Sequence, residues 1–457
     1  MGVSGLTQLL RDKCPGLFGS LPRRALKGKR IIFDGNLYTL KFHYTPHADI
    51  HQHVIGWHTM IKQLSRHNVS AICVFDGKER HPSKAKKLQN KRKAKMVNEA
   101  RLDLEKAREL RLQDLYSVFQ LCKTLSPDDE RQILKVLFNN PLFAERYPFV
   151  ATRLDGISIS DLSIVSRPPN FELIRDRILA LNTKFLTAIL PSTSGPEVLL
   201  AEDKSTTPAE ALNISEEDIW RRFIESLGNP VKHRTGFGVR SLIARSDKQS
   251  KKLSRRVHLP TASVYAECFE LLRTMGVPCI VATGAIEAEA LASSLVLHGH
   301  ADYVASDDND VLVHGAPMVM NLTGKGPIER IARPRQNIHR ALGLSKRSFI
   351  DLAILLGCDF APGSPFLPHI AYQLIKEHGT IENVAKAQKD SARANKLQKS
   401  FGSRDGYMEQ VNQARLMYHA LPPIPPPSMF EAIERLPHLT DEIMRSIRRG
   451  KACQQSG

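Results

Sequence analysis

Seven acidic residues stand where a short apolar run gives way to a turn or a helix start: Asp34, Asp76, Glu287, Glu289, Asp308, Asp310 and Asp359. Their hard oxygen donors suit Mg2+ or Mn2+. The chain around them is basic, with 65 Lys and Arg against 47 Asp and Glu and a formal net charge of +18. Acid groups gathered in one place repel each other and cost stability unless cations neutralise them. A divalent-metal site acting on a polyanion accounts for both observations. The chemistry expected of it is phosphodiester hydrolysis. Two metals roughly 3.5–4 Å apart bind the scissile phosphate, activate a water and stabilise the leaving oxygen.

Each acid also has an ordinary explanation. Asp34 and Asp76 both precede Gly, and an Asp-Gly turn needs no function. Both, however, follow β-rich apolar runs, Arg30–Phe33 and Ala71–Phe75. In open parallel sheets, sites form at the carboxyl ends of the strands. Glu287 and Glu289 fall in a helix expected to begin near Ala285, where residues two apart point to different sides. One of them then binds metal directly and the other through water, or the backbone there is not yet helical. Asp308 and Asp310 share a face if Ala305–Leu312 is extended, and Asp307 then points away as a bystander. A calcium EF-hand is excluded, because its Gly at position six and Glu at position twelve are absent. Asp359 follows Gly357-Cys358 at the exit of an apolar helix.

The stretch Lys78–Lys95 is dense in positive charge. Lys84 and Lys91 lie about two helical turns apart and so share a face that starts near Asp76. That face could direct two ammonium groups at the scissile phosphate. Lys86, Lys87, Arg92, Lys93 and Lys95 would track a nucleic-acid backbone and make binding salt-dependent. His43, His47, His51, His53 and His58 invite a zinc reading, and His47 and His51 have helical i, i+4 spacing. No matching Cys or third ligand follows in the sequence, so a solvated or phosphate-facing helix is expected instead.

These residues need a scaffold, and 457 residues allow one large domain with insertions or two to three domains. No apolar run is long enough for a membrane span, and a pI near 9.6 points to an anionic partner. The seven cysteines are odd in number, widely spaced and without a CxxC pair, the pattern of a reduced intracellular protein. Leu6 stands where a myristoylation signal needs Ser or Thr. The two apolar runs do not alternate, as expected of strands buried on both faces of a parallel sheet. Cys279–Ala282, Asp302–Ala305 and Pro317–Met320 read as further strands, and Ser348–Leu356 as an apolar helix stopped by Gly357.

The intervening segment carries capping patterns at Ser126-Pro-Asp-Asp129 and at Ser215-x-x-Asp218. It also carries the breakers Arg167-Pro-Pro169 and Pro191–Gly195, and Ser246–Arg256 reads as a basic polar linker. The expected organisation is a nuclease region at 1–118, then an insert at 119–258, partly helical or disordered. A second nuclease region follows at 259–360, then 361–400, and a basic tail at 401–457.

The stretches IIFDGNLY, VFDGKERHPSKAKK, GVPCIVATGAIEAEA, YVASDDNDVLVHG and DLAILLGCDF occur in that order after an opening Met-Gly-Val-Ser-Gly-Leu. In these the chain resembles the flap endonuclease and xeroderma pigmentosum group G family of structure-specific 5′ nucleases, over about 1–118 and 262–385. The resemblance implies an α/β fold: a PIN-like three-layer α/β/α arrangement with a mostly parallel sheet and a helix-two-turn-helix-like region at 361–400. It implies two Mg2+ ions, replaceable by Mn2+, held by the seven acids. It also implies cleavage of DNA near single-strand/double-strand junctions. Lys84 and Lys91 match the family's catalytic basic pair, with Arg92 as the alternative register, and Gly2 matches its N-terminal residue near the site.

The chain departs from the family in four places. Gly363-Ser-Pro-Phe-Leu-Pro368 stands where the family has a Gly-Ile-Gly turn, and proline removes a backbone donor from that phosphate contact. Leu40 stands in place of a stacking aromatic, with Tyr38 and Tyr44 nearby, and Tyr38 is taken as a nucleic-acid contact. The insert is longer than a flap-endonuclease arch and shorter than the group G spacer. The tail shows no sliding-clamp peptide. The expectation is a monomeric, nuclear DNA-repair or replication nuclease without a membrane partner, the mitochondrion being the second compartment considered. The alternatives are an RNA substrate, relaxed substrate choice, or a nuclease fold kept as an RNA- or protein-binding post-transcriptional regulator.

Overall fold

The computed structural model describes residues 2–45, 51–79, 85–154, 168–189, 208–229, 238–257, 260–324, 326–333, 336–364, 366–387 and 404–455. The chain divides into two compact units, Met1–Gln89 with Pro260–Gly457, and Asn90–Leu259.

The first unit is built on seven strands: β1 Phe18–Leu21, β2 Arg30–Asp34, β3 Ser70–Phe75, β4 Cys279–Val281, β5 Tyr303–Ala305, β6 Met318–Met320 and β7 Ile328–Ile331. Their order across the sheet is β1-β7-β6-β5-β2-β3-β4. The run from β6 to β4 is parallel, and only β7 opposes its neighbours. The non-alternating runs are doubly buried, as expected. Ile32, Ile72, Val74 and Val304 pack on one face, and Ile31, Phe33, Cys73, Phe75 and Ala305 on the other. Helices cover both faces, which completes the α/β/α layering. The helices Leu6–Lys13, Ala288–Leu297 and Lys346–Leu356 line the first face. Gly35–His43, Gln52–Arg66 and Ala262–Thr274 line the second. From β2 the chain steps outward to β3 and β4, then returns to the opposite side of β2 as β5. Strand order therefore reverses beside β2, where open α/β sheets place their ligands.

The basic tail belongs to this unit. Tyr407, Val411, Ala414 and Tyr418 of the helix Arg404–His419 are buried in the first-face core, and Met444 and Ile447 of Pro437–Gln455 in the second. The strands β1 and β7, the last two at one end of the sheet, were not expected from the sequence, because Phe18-Gly-Ser-Leu21 and Ile328-Glu-Arg-Ile331 are short and weakly apolar. Among the described residues, no helix is long and apolar enough to cross a membrane.

The second unit is helical over its described residues. The first unit's N-terminal part ends at Gln89 rather than near residue 118, and that boundary falls inside the helix Ala85–Leu121. Ser126 and Asp129 form the expected reciprocal capping box. Ser215 caps nothing: the helix Pro208–Ser226 runs through it, and its hydroxyl donates to the Ala211 carbonyl. Ser246–Arg256 is not a linker but part of the helix Val239–Val257, which buries Leu242, Ser246, Ser250 and Leu253 on one side. The breaker run Pro191–Gly195 lies outside the described residues, as does Arg167. Trp220 stacks on Phe185 at 5.1 Å in the core. Beside them Glu216 accepts from both Arg108 and Arg111, and Glu105 pairs with Arg108. Over its described residues the insert has its own hydrophobic core and buried ion pairs.

Candidate metal centre

Because β2, β3 and β5 are parallel and in near register, their carboxyl ends share one edge. Asp34 closes β2, Asp76 follows β3, and Asp308 lies three residues beyond β5. The Asp34-Gly35 turn does not exist. Asp34 is the N-cap of Gly35–His43, its Oδ1 accepting from the Leu37 amide at 2.9 Å. Gly35 is there for space: a Cβ would lie 2.6 Å from the Phe75 ring. Asp76 is held from two sides. Asn36 donates to its Oδ2 at 3.0 Å, and the Ala288 amide donates to its Oδ1 at 3.1 Å.

That second bond locates the glutamates. Glu287 is the N-cap of Ala288–Leu297 with extended backbone (φ −90°, ψ 148°), and Glu289 lies in the first turn. The helix begins later than Ala285, so the opposed-sides objection does not apply. Asp308 and Asp310 come together for a different reason from strand alternation. The chain turns after Ala305, Asp308 Oδ1 accepts the Asp310 amide at 3.1 Å, and Asp310 opens the short helix Asp310–His314. Asp307 is a bystander, paired with Lys41 at 2.6 Å. Asp359 follows the helix Lys346–Leu356, which ends at Gly357.

The seven acids are electrostatically one cluster. Burial, then Asp76 and Asp308, push the Asp34 carboxyl up to about 7. Burial, then Asp34, Asp76, Asp308 and Glu287, push Glu289 well above the usual carboxylate range. Burial, then Asp308 and Asp359, do the same to Asp310. Asp310 Oδ1 is buried without a hydrogen-bond partner among the described residues. Oxygen-only donors, mutual repulsion and an orphaned buried oxygen fit hard divalent cations. The acids do not close into a tight triad. The three potential ligand atoms that lie within 4.8 Å of one another, among the described residues, belong to His51, His53 and Glu267.

The chain start is clipped to this cluster by a residue that sequence reading missed. Asn309 accepts from the Val3 amide at 2.6 Å and donates to the Val3 carbonyl at 2.8 Å, while Ser4 donates to the Gly357 carbonyl at 3.0 Å. Gly2 is thereby laid against the acids with φ +82°, and a Cβ there would collide with Asp308, Asn309 and Asp310. Its backbone conformation and the space both exclude a side chain.

Other expected contacts fare differently. Tyr38 is not a nucleic-acid contact: it is fully buried against Phe33, Phe42 and Trp57, because its helix turns it into the second-face core. Lys84 lies outside the described residues, as do the side chains of Lys86, Lys87 and Lys91; Arg92, Lys93 and Lys95 are exposed on the helix Ala85–Leu121. Proline at 368 is the first residue of the helix Pro368–His378, where no amide donor is required. The histidines do not form a solvated face. His47 lies outside the described residues, His53 is buried, and Glu267, far away in sequence, receives both His51 and His53.

The chain matches the family described as XPG N-terminal domain over residues 1–98 and that described as XPG I-region over 276–359. Both segments together contain all seven acids. Flap endonuclease 1 of Neurospora crassa is 41% identical over 146 residues, 30% of this chain and 36% of that protein. Flap endonuclease 1 of Aspergillus fumigatus is 40% identical over 144 residues, 30% of this chain and 35% of that protein. The chain thus spans about a third of these relatives' length. Among solved structures it is similar to the catalytic core of Rad2 in complex with DNA substrate, at 15% identity and TM-score 0.48 over 97% of this chain and 95% of that one. It is also similar to human GEN1 in complex with Holliday junction DNA, at 15% identity and TM-score 0.42 over 95% and 69%. Over residues 1–98 and 276–359, which hold all seven acids, the chain is similar to the XPG and flap endonuclease family.

Proposed function

We propose that this chain is a divalent-metal-dependent nuclease that hydrolyses DNA phosphodiesters at single-strand/double-strand junctions, flap-like branches foremost. The observation that carries this reading is the set of seven mutually repelling carboxylates at the carboxyl edge of the parallel strands, inside the two XPG segments. A fold kept only to bind RNA or protein gains nothing from that repulsion, which costs stability in the absence of cations. The flap endonucleases that share part of its sequence supply the substrate class.

Two divalent cations, Mg2+ with Mn2+ as substitute, would supply Lewis-acid polarisation of the phosphate and a deprotonated water. Asp34, Asp76, Glu287, Glu289, Asp308, Asp310 and Asp359 hold them. Asn36 and the Ala288 amide fix the Asp76 carboxylate, so that it need not reorganise on binding. Gly2 lets the chain start lie beside the acids. By the family resemblance, Lys84 and Lys91 would neutralise the scissile phosphate, and Arg92, Lys93 and Lys95 would contact the nucleic-acid backbone. A DNA substrate makes the nucleus the expected compartment.

The test is cleavage of a labelled 5′-flap duplex with Mg2+, beside the same flap made of RNA. Asp76→Asn and Asp308→Asn should each lose at least about 100-fold in rate, since even outer-shell changes at metal sites cost 10–100-fold. A wild-type protein that cuts neither flap, nicked nor bubble DNA with any divalent ion sinks the proposal. Cleavage confined to the RNA flap would reassign the substrate.

A further inference from the structure

Outside the acidic edge, three side chains from two elements point their donor atoms at one spot. His51, at the start of the helix Gln52–Arg66, places Nδ1 3.1 Å from Glu267 Oε2, and His53 Nε2 lies 3.0 Å from the same oxygen. Glu267 belongs to the helix Ala262–Thr274. All three ligand atoms lie within 4.8 Å of one another. We propose that His51, His53 and Glu267 form a second metal site, selective for a first-row transition ion of the zinc class, that ties the start of the helix Gln52–Arg66 to the helix Ala262–Thr274.

Two imidazoles and one carboxylate are a zinc donor set, with water in the fourth position. Zinc bonds of about 2.0–2.2 Å put neighbouring tetrahedral donors roughly 3.3 Å apart. The two edges to Glu267, 3.1 and 3.0 Å, are already close to that, and the third lies within 4.8 Å, so the two imidazole nitrogens need only close on each other. His53 is locked, with only 2% of its side chain exposed, while His51 and Glu267 are a third or more exposed and give an ion entry. Hydrogen bonding alone would require both rings to present a proton to one oxygen. An ion replaces both protons and satisfies all three atoms at once. The His43 ring, 6.0 Å from that of His53, marks the location: His43 ends the helix that Asp34 caps, about 13 Å along its axis from the acids. Imidazole donors favour zinc over Mg2+, as carboxylates alone do not. The site therefore does not depend on the nuclease reading.

The experiment uses the full chain, stripped with chelator and titrated with Zn2+ in excess Mg2+ against a chromophoric zinc indicator. Wild type should take up one tight Zn2+, and Co2+ in its place should give a visible tetrahedral absorption band. His51→Gln and Glu267→Gln, both at partly exposed positions, should each weaken zinc by about 100-fold or more. Asp76→Asn should keep the zinc, which separates the two sites. Absence of a tight zinc in wild type overturns the proposal, as does unchanged affinity in both His51→Gln and Glu267→Gln. His53→Gln, if it folds by circular dichroism, should abolish the cobalt band; a retained band also overturns it.

Discussion

Gly2→Ala tests whether the chain start is part of the cutting machinery. The added methyl would sit 2.7 Å from Asp310 Oδ1 and closer still to Asp308 Oδ1 and Asn309 Oδ1, where ordinary contact begins at 3.4 Å. Asp310 Oδ1 must retreat from the methyl by about 0.7 Å, and Asp308 Oδ1 by more. A misplacement of roughly 1 Å at a catalytic constellation costs on the order of 100-fold. The left-handed backbone, φ +82°, adds a strain of about 1 kcal/mol for a residue with a side chain. The chain start cannot swing away cheaply, because the Val3 amide and carbonyl and the Ser4 amide are held by Asn309 and Gly357. The assay is single-turnover cleavage of 5′-flap DNA over a range of Mn2+ concentrations, with a melting curve for each protein. The expected result is a rate about 100-fold down, with the folded state retained. A variant that cuts at the wild-type rate with unchanged metal dependence would refute the placement of Gly2 against the acids.

Two further predictions concern stability. Arg415 makes forked bonds to Asp351, at 2.7 and 2.6 Å, and to Glu382, at 2.6 and 2.8 Å, and Asp351 is fully buried. Arg415→Met leaves that charge unpaired and should cost about 3–5 kcal/mol in urea unfolding, Arg415→Lys nearly as much because it lacks the fork; a loss under about 1 kcal/mol would contradict the pairing. The Asp34 carboxyl, raised to about 7, contributes stability below its unfolded value near 4 and loses it as pH rises through 7. Metal-free protein should therefore melt lower at pH 8 than at pH 5.5, and Mg2+ should raise the melting temperature more at pH 8; equal shifts at both would show that the acids do not hold the ion.

The parallel core was legible because doubly buried strands leave continuous apolar runs: Ile31–Phe33 and Ala71–Phe75 could be read as strands without neighbours in view. The acids were legible by their position at the ends of those runs. What held them was not. Asn309 and Asn36 are polar residues among many, and their roles come from bonds to Val3 and Asp76 that no local pattern encodes. Tyr38 was misassigned because the helix Gly35–His43 turns it inward, a fact of phase that the neighbouring Tyr44 obscured. Glu267 was invisible as a partner for His51 and His53 because over two hundred residues of chain separate them. Ser246–Arg256 read as a linker since its buried face is made partly of serines, which a search for apolar periodicity passes over.

The central claim, that the seven acids hold two ions, is tested most directly by crystals soaked in Mn2+ and measured at the manganese absorption edge. The account predicts two anomalous peaks roughly 3.5–4 Å apart, among Asp34, Asp76, Glu287, Glu289, Asp308, Asp310 and Asp359. No peak there, or manganese bound only elsewhere in the chain, would contradict it.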